Sequence, residues 1–131
     1  MTATTVEEAV MELDHAFNLR DMDAVLSFYE NDAVVVMAPG RMARGKDELR
    51  QFFAQLFAMK CEAHQMRTHV IETGDIALFI SKWQLVGESS DGRDFSREGI
   101  ATSIFRKGAD SKWRIVIDNC FGPASLESVS S

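Results

Sequence analysis

A chain of 131 residues can bury about two-thirds of the surface its unfolded form exposes, so one domain with its own core is expected. Its 46% apolar and 26% charged residues are ordinary globular usage and exclude intrinsic disorder. The net charge of -6, with the basic residues scattered, argues against nucleic acid as a partner, and no apolar run reaches the ~18 residues of a membrane span.

The opening MTATTVEEAVMELD turns acidic at once and lacks the basic-then-apolar order of a signal peptide, so a cytoplasmic protein is expected. From Val6, apolar residues recur at Ala9, Val10, Leu13 and Phe17, the spacing of one helix face, and Thr5 with Glu8 has the form of a capping box. Asp21 is placed to cap a second, shorter helix with an inner face of Met22, Val25, Leu26 and Tyr29, ended by Asn31 and Asp32. Ala33 to Ala38 is rich in β-branched residues and bounded by Asn-Asp and Pro-Gly, which suits a short strand buried on both faces. Pro39 to Gly45 reads as loop. Leu49, Phe52, Phe53, Leu56 and Phe57 then repeat at helical spacing, a third helix with an aromatic stripe that belongs to the core.

From Cys61 the apolar period falls from about 3.6 to 2. Turn residues at Gly74-Asp75, Ser89 to Gly92 and Gly108 to Ser111 divide the remainder into strands at Cys61 to Thr73, Ile76 to Val86, Phe95 to Lys107 and Lys112 to Phe121. Short connections imply an antiparallel meander, and Gly99 inside the third of these strands reads as a bulge that helps the sheet curl. The expected organisation is an α+β domain over residues 1–123, three helices on a curled antiparallel sheet with a short first strand, followed by a flexible tail at 124–131. Cys61 and Cys120 are too few for a disulfide scaffold and stand in no metal-binding spacing, so buried thiols are expected.

Two stretches carry a resemblance that covers nearly the whole chain. FNLRDMDAVLSFYENDAVVVMAPGRMARGKDELRQFFAQLF resembles the helix-helix-strand-helix opening of the NTF2-like or SnoaL-like superfamily, and GIATSIFRKGADSKWRIVIDNCFG resembles the closing hairpin of its DUF4440 group, which includes SgcJ/EcaC-like and YybH-like members. The resemblance implies a cone with a pocket between helices and sheet, and a homodimer through the sheet's outer face. The ketosteroid isomerases of that superfamily need a tyrosine on the first helix, a carboxylate base near the first strand and a protonated acid on a later strand. Aligned on those motifs, this sequence has Leu13 and Met37 at the first two positions, and Ile100 to Phe105 contains no acid, so the isomerase chemistry does not carry over.

Strict alternation along the last strand puts Trp113, Ile115, Ile117, Asn119 and Phe121 on the apolar, inward face, and Arg114, Val116, Asp118 and Cys120 outward; a β-bulge would exchange the two sets. Asn119 is then a candidate ligand contact or a backbone-satisfied amide. Asp118 is a surface or interface carboxylate, or else an acid or base of the kind proposed for SnoaL-type cyclases, as the resemblance implies. His64 and His69, five apart on a strand, point to opposite faces and cannot share a metal; His69 alone is a candidate proton carrier. Tyr29 and Trp83 are amphipathic aromatics able to wall a pocket, with core packing as the plainer account. Arg97, if internal, would meet an anionic substrate, and Arg41 and Arg44 would do so if their loop bent over the pocket. Two functions follow. One is a pocket protein taking a small apolar or weakly acidic ligand, with acid-base chemistry that needs no cofactor or metal. The other is a non-catalytic dimerisation or assembly module, its cavity filled by Phe and Met.

Overall fold

The structure, a computed structural model, describes residues 5–88 and 91–127. Thr5 is extended at φ -122 and ψ 160; its hydroxyl accepts from the Glu8 amide at 3.1 Å and donates to the Glu8 carboxylate at 2.9 Å, opening α1 (Val6–Asn18) where the capping residues placed it. Asp21 accepts from the Ala24 amide at 3.2 Å and opens α2 (Met22–Ser27).

This second helix is shorter than its apolar spacing suggests. The Phe28 carbonyl accepts from the Ile115 amide at 2.8 Å, which draws the chain into the sheet one residue later. Tyr29, expected on the helix, therefore opens β1 (Tyr29–Ala38), and Asn31 and Asp32, expected to end the helix, are exposed strand residues. The first strand is thus ten residues long instead of short. Its surplus is absorbed by an irregularity between Tyr29 and Val34, which pair with Ile115 and Ile117. The segment read as loop folds back as β2 (Arg41–Arg44), with Val35 opposite Ala43, after a turn at Gly40 whose φ of 80 suits glycine.

After α3 (Gly45–Ala58) come β3 (Glu62–Thr73), β4 (Ile76–Glu88), β5 (Asp94–Lys107) and β6 (Trp113–Asn119), paired as the expected meander. The sheet order is β2-β1-β6-β5-β4-β3, and β1 runs parallel to β6, so the sheet is mixed and not wholly antiparallel. Three helices packed on one curled, unclosed sheet of six strands make an α+β cone. Helices and sheet meet through aromatic contacts: Phe17 meets Phe57 with ring centres 5.4 Å apart, and Phe53 meets Tyr29 at 5.5 Å.

Gly99 is not a bulge, because pairing between β4 and β5 runs unbroken past it. A Cβ there would lie 2.6 Å from Cζ2 of Trp83, so the missing side chain makes room for the indole. The bulges fall elsewhere, between Gln65 and Arg67 on β3 and between Ile104 and Phe105 in the pairing of β5 with β6. Gly122–Leu126 form a 3-10 helix that runs three residues into the segment 124–131 expected to fray; positions 128–131 of that tail lie outside the described residues.

Candidate functional site

The bulge on the last strand decides what faces the helices. Ile104 pairs with Ile117 and Phe105 with Ile115, so Val116 is the extra residue. Trp113 and Ile115 point inward as alternation requires, and then the phase reverses. Asp118 and Cys120 line the interior, while Ile117 is 41% exposed and Asn119 has moved to the outer side. The expectation that Asn119 is internal and Asp118 external is thereby inverted. Asn119 is a structural cap: its Oδ1 accepts from the amides of Phe121 and Gly122 at 3.2 and 3.1 Å and from the Ser125 hydroxyl at 2.9 Å, fixing the 3-10 helix.

Asp118 accepts three side-chain hydrogen bonds. Tyr29 Oη donates to Oδ2 at 2.7 Å, Ser103 Oγ to Oδ1 at 3.0 Å, and Cys120 Sγ to Oδ1 at 3.4 Å. Ser103 stands directly across from Asp118 on β5, and Tyr29 arrives from β1 on the other side. Burial first, and then the Asp118 carboxylate, push the Tyr29 phenol and the Cys120 thiol well above their ordinary ranges, so both remain protonated donors.

A second carboxyl group, absent from the sequence-based candidates, enters from α1. Asp14 follows Leu13 and lies four residues after Val10 and three before Phe17, inside the apolar stripe of the helix. Gln65 Nε2 donates to Asp14 Oδ2 at 3.0 Å, and Ser81 Oγ in turn donates to Gln65 Oε1. Burial raises Asp14 to about 6, opposed by the Gln65 hydrogen bond, reinforced by the charge of Asp118 and reduced by His64.

Both carboxyl groups line a cavity of about 290 Å³ between helices and sheet. That lies just below the roughly 300–1,000 Å³ usual for small-molecule sites. Its walls are mainly apolar, with Val35 and Met37 from β1, Phe52 and Phe53 from α3, and Leu85 from β4. Trp83 forms part of the wall, its Nε1 donating to the Cys120 carbonyl at 2.8 Å. Leu13 and Met37, the residues at the isomerase positions, line the cavity as apolar groups. Arg97 also belongs to the lining, whereas Arg41 and Arg44 lie on β2 and do not.

His69 does not reach the cavity. The bulge at Met66 shifts the phase of β3, so His64 pairs with Gln84 and His69 with Ile80, both on the outer face and both exposed. The expectation that the two histidines face opposite sides is corrected by that one extra residue. Among the described residues no group of three or more His, Cys, Asp or Glu is arranged to hold a metal ion, and no helix is long and apolar enough to cross a membrane.

Residues 10–116 match the family described as the SnoaL-like domain. Among solved structures the chain is similar to a ketosteroid isomerase-like protein from Erwinia carotovora atroseptica, with 26% identity and a TM-score of 0.72 over 87% of this chain and 90% of that one. It is also similar to a nuclear transport factor 2 (NTF2-like) superfamily protein from Salmonella enterica serovar Typhimurium, with 15% identity and a TM-score of 0.76 over 86% and 84% of the two chains. An NTF2-like protein with a cystatin-like fold from Novosphingobium aromaticivorans shares 19% identity at a TM-score of 0.72, over 86% and 75%. No curated protein matches the sequence.

Proposed function

The chain belongs to the SnoaL-like domain family, and from that premise we propose that it holds a small, largely apolar molecule in the cavity and moves a proton on it, with Asp118 as base and Asp14 as the second carboxyl. The observation that carries this reading is two carboxyl groups in one apolar cavity with different surroundings, Asp118 met by three donors and Asp14 raised by burial to about 6. A group of that pKa keeps about a tenth of its protons at pH 7, enough to return one to the substrate. The reaction class is proton abstraction from an activated carbon, followed by reprotonation or by loss of a leaving group. It needs no cofactor or metal.

A carboxylate base in an apolar pocket can be tested without the natural substrate. With 5-nitrobenzisoxazole, Asp118 would take the ring C–H proton, the N–O bond would break, and its electron pair would leave as a coloured phenolate. The expected result is turnover above that of acetate at equal concentration and a loss of about 100-fold in Asp118→Asn. Equal rates in the two proteins, both folded by circular dichroism, would contradict the assignment.

A second reading, self-assembly, is favoured by the outer face of the sheet. Ile71, Leu78, Ile104 and Ile117 are in register across β3, β4, β5 and β6, and Ile71 and Ile117 are 52% and 41% exposed. We propose that this row packs on its counterpart in a second copy, leaving the cavity free on the opposite face. A module that only assembles has no use for the donor set around Asp118, so the dimer is read as the support of the pocket and not as its replacement.

A further inference from the structure

Among the described residues the cavity lining contains a single cation, Arg97. It stands opposite Leu85 on the inner face of β5, in phase with Gly99, Ala101 and Ser103, and is exposed, so it marks an opening of the cavity. Among the described residues it makes no ion pair and no side-chain hydrogen bond. Its guanidinium lies over the Phe95 ring, 5.9 Å from the centroid, a contact that steadies the side chain and leaves its N–H donors free.

A second cation without an ion pair among the described residues, Arg20, belongs to the same end of the molecule. Arg20, in the left-handed region at φ 57 just beyond α1, acts electrostatically on the Cys61 thiol, as Arg97 does. Both guanidiniums thus stand at the Cys61 end of the cavity, whereas Asp118 lies six residues further along the sheet, across from Ser103.

Register sets the distance between the two ends. Arg97 is six residues before Ser103, the partner of Asp118, or about 20 Å along an extended strand. The guanidinium leans over Phe95, away from Ser103, while the curl of the sheet shortens the path, so the span from guanidinium to carboxylate stays on the order of 20 Å.

We propose that the ligand is an amphipathic carboxylic acid, an elongated apolar body whose reacting carbon lies at Asp118 and whose carboxylate is held by the Arg97 guanidinium at the opening. The inference rests on the reading of the cavity as a ligand site and adds the class and direction of the ligand. The inverted orientation would put like charges together at Asp118, so the charges alone select acid-outward binding.

Isothermal titration with 6-phenylhexanoate and its neutral amide separates the claims, using wild type, Arg97→Met, which keeps the apolar stem over Phe95, and Asp118→Asn. Wild type is expected to bind the acid at least about tenfold more tightly than the amide, a preference lost in Arg97→Met while amide binding stays unchanged, and retained in Asp118→Asn. Equal binding of acid and amide by wild type, or an acid preference that survives Arg97→Met, would overturn the Arg97 assignment and leave the cavity reading standing. Binding of neither compound by folded wild type would overturn both.

Discussion

Tyr29 and Ser103 reach one carboxylate from strands far apart in the sequence, and neither hydroxyl is explained by packing alone. Removing the Tyr29 hydroxyl leaves Asp118 one donor short in a buried setting, so Tyr29→Phe is expected to lower stability by about 1–3 kcal/mol in urea titrations at pH 7. A change within error would mean that water replaces the phenol. For Asp14 the sign follows from its raised pKa. The native state binds the proton more tightly than the unfolded chain, so the Asp14 contribution is most favourable below about pH 4, is lost as pH rises through about 6, and is a full penalty above that. Asp14→Asn should thus be more stable than wild type by about 2 kcal/mol at pH 8, with the difference vanishing near pH 4. An equal gain at both pH values would show that charge is not the cause. The two carboxyls differ in legibility. Asp14 was visible in principle, as an acid between Val10 and Phe17 on an apolar helix stripe, whereas the inward turn of Asp118 depends on one extra residue, Val116, that leaves no local trace in a run of apolar side chains.

Capping residues and apolar period located α1, α2, α3 and the four long strands to within a few residues, because those elements are specified by contacts near in sequence. What escaped was set from a distance. The extension of β1 to Tyr29 follows from the bond between Phe28 and Ile115, and β2 is a four-residue strand with only Ala43 buried, too short for alternation to register. The bulge at Met66 moved His69 out of contention by the same mechanism that brought Asp118 in. Gly99 yields space to an indole rather than bending the strand, a role that depends on a residue sixteen positions away and not on its own neighbours. Gly99→Ala is expected to displace Trp83, break its 2.8 Å bond to the Cys120 carbonyl and cost about 1–3 kcal/mol, with a shift in tryptophan emission. An unchanged emission spectrum and melting temperature would show that the indole has room to spare.

Across the whole molecule, one face of the sheet supplies the cavity and the other an apolar row, so the proposed binding and the proposed assembly are predicted to vary independently. Ile117→Arg is expected to convert a sedimenting dimer to a folded monomer that keeps its benzisoxazole activity; a wild type that sediments as a monomer at about 100 μM would contradict the proposed dimer. The central claim is that a small apolar molecule enters the cavity and lies against its two carboxyl groups. The most direct measurement is the carboxyl spectrum of protein labelled with carbon-13 in aspartate, titrated with neutral 6-phenylhexanamide. Saturable, parallel shifts of the Asp14 and Asp118 resonances, with those of exposed Asp23 and Asp47 unmoved, are the predicted result. Saturable binding that leaves Asp14 and Asp118 unshifted, or no binding at all, would contradict it.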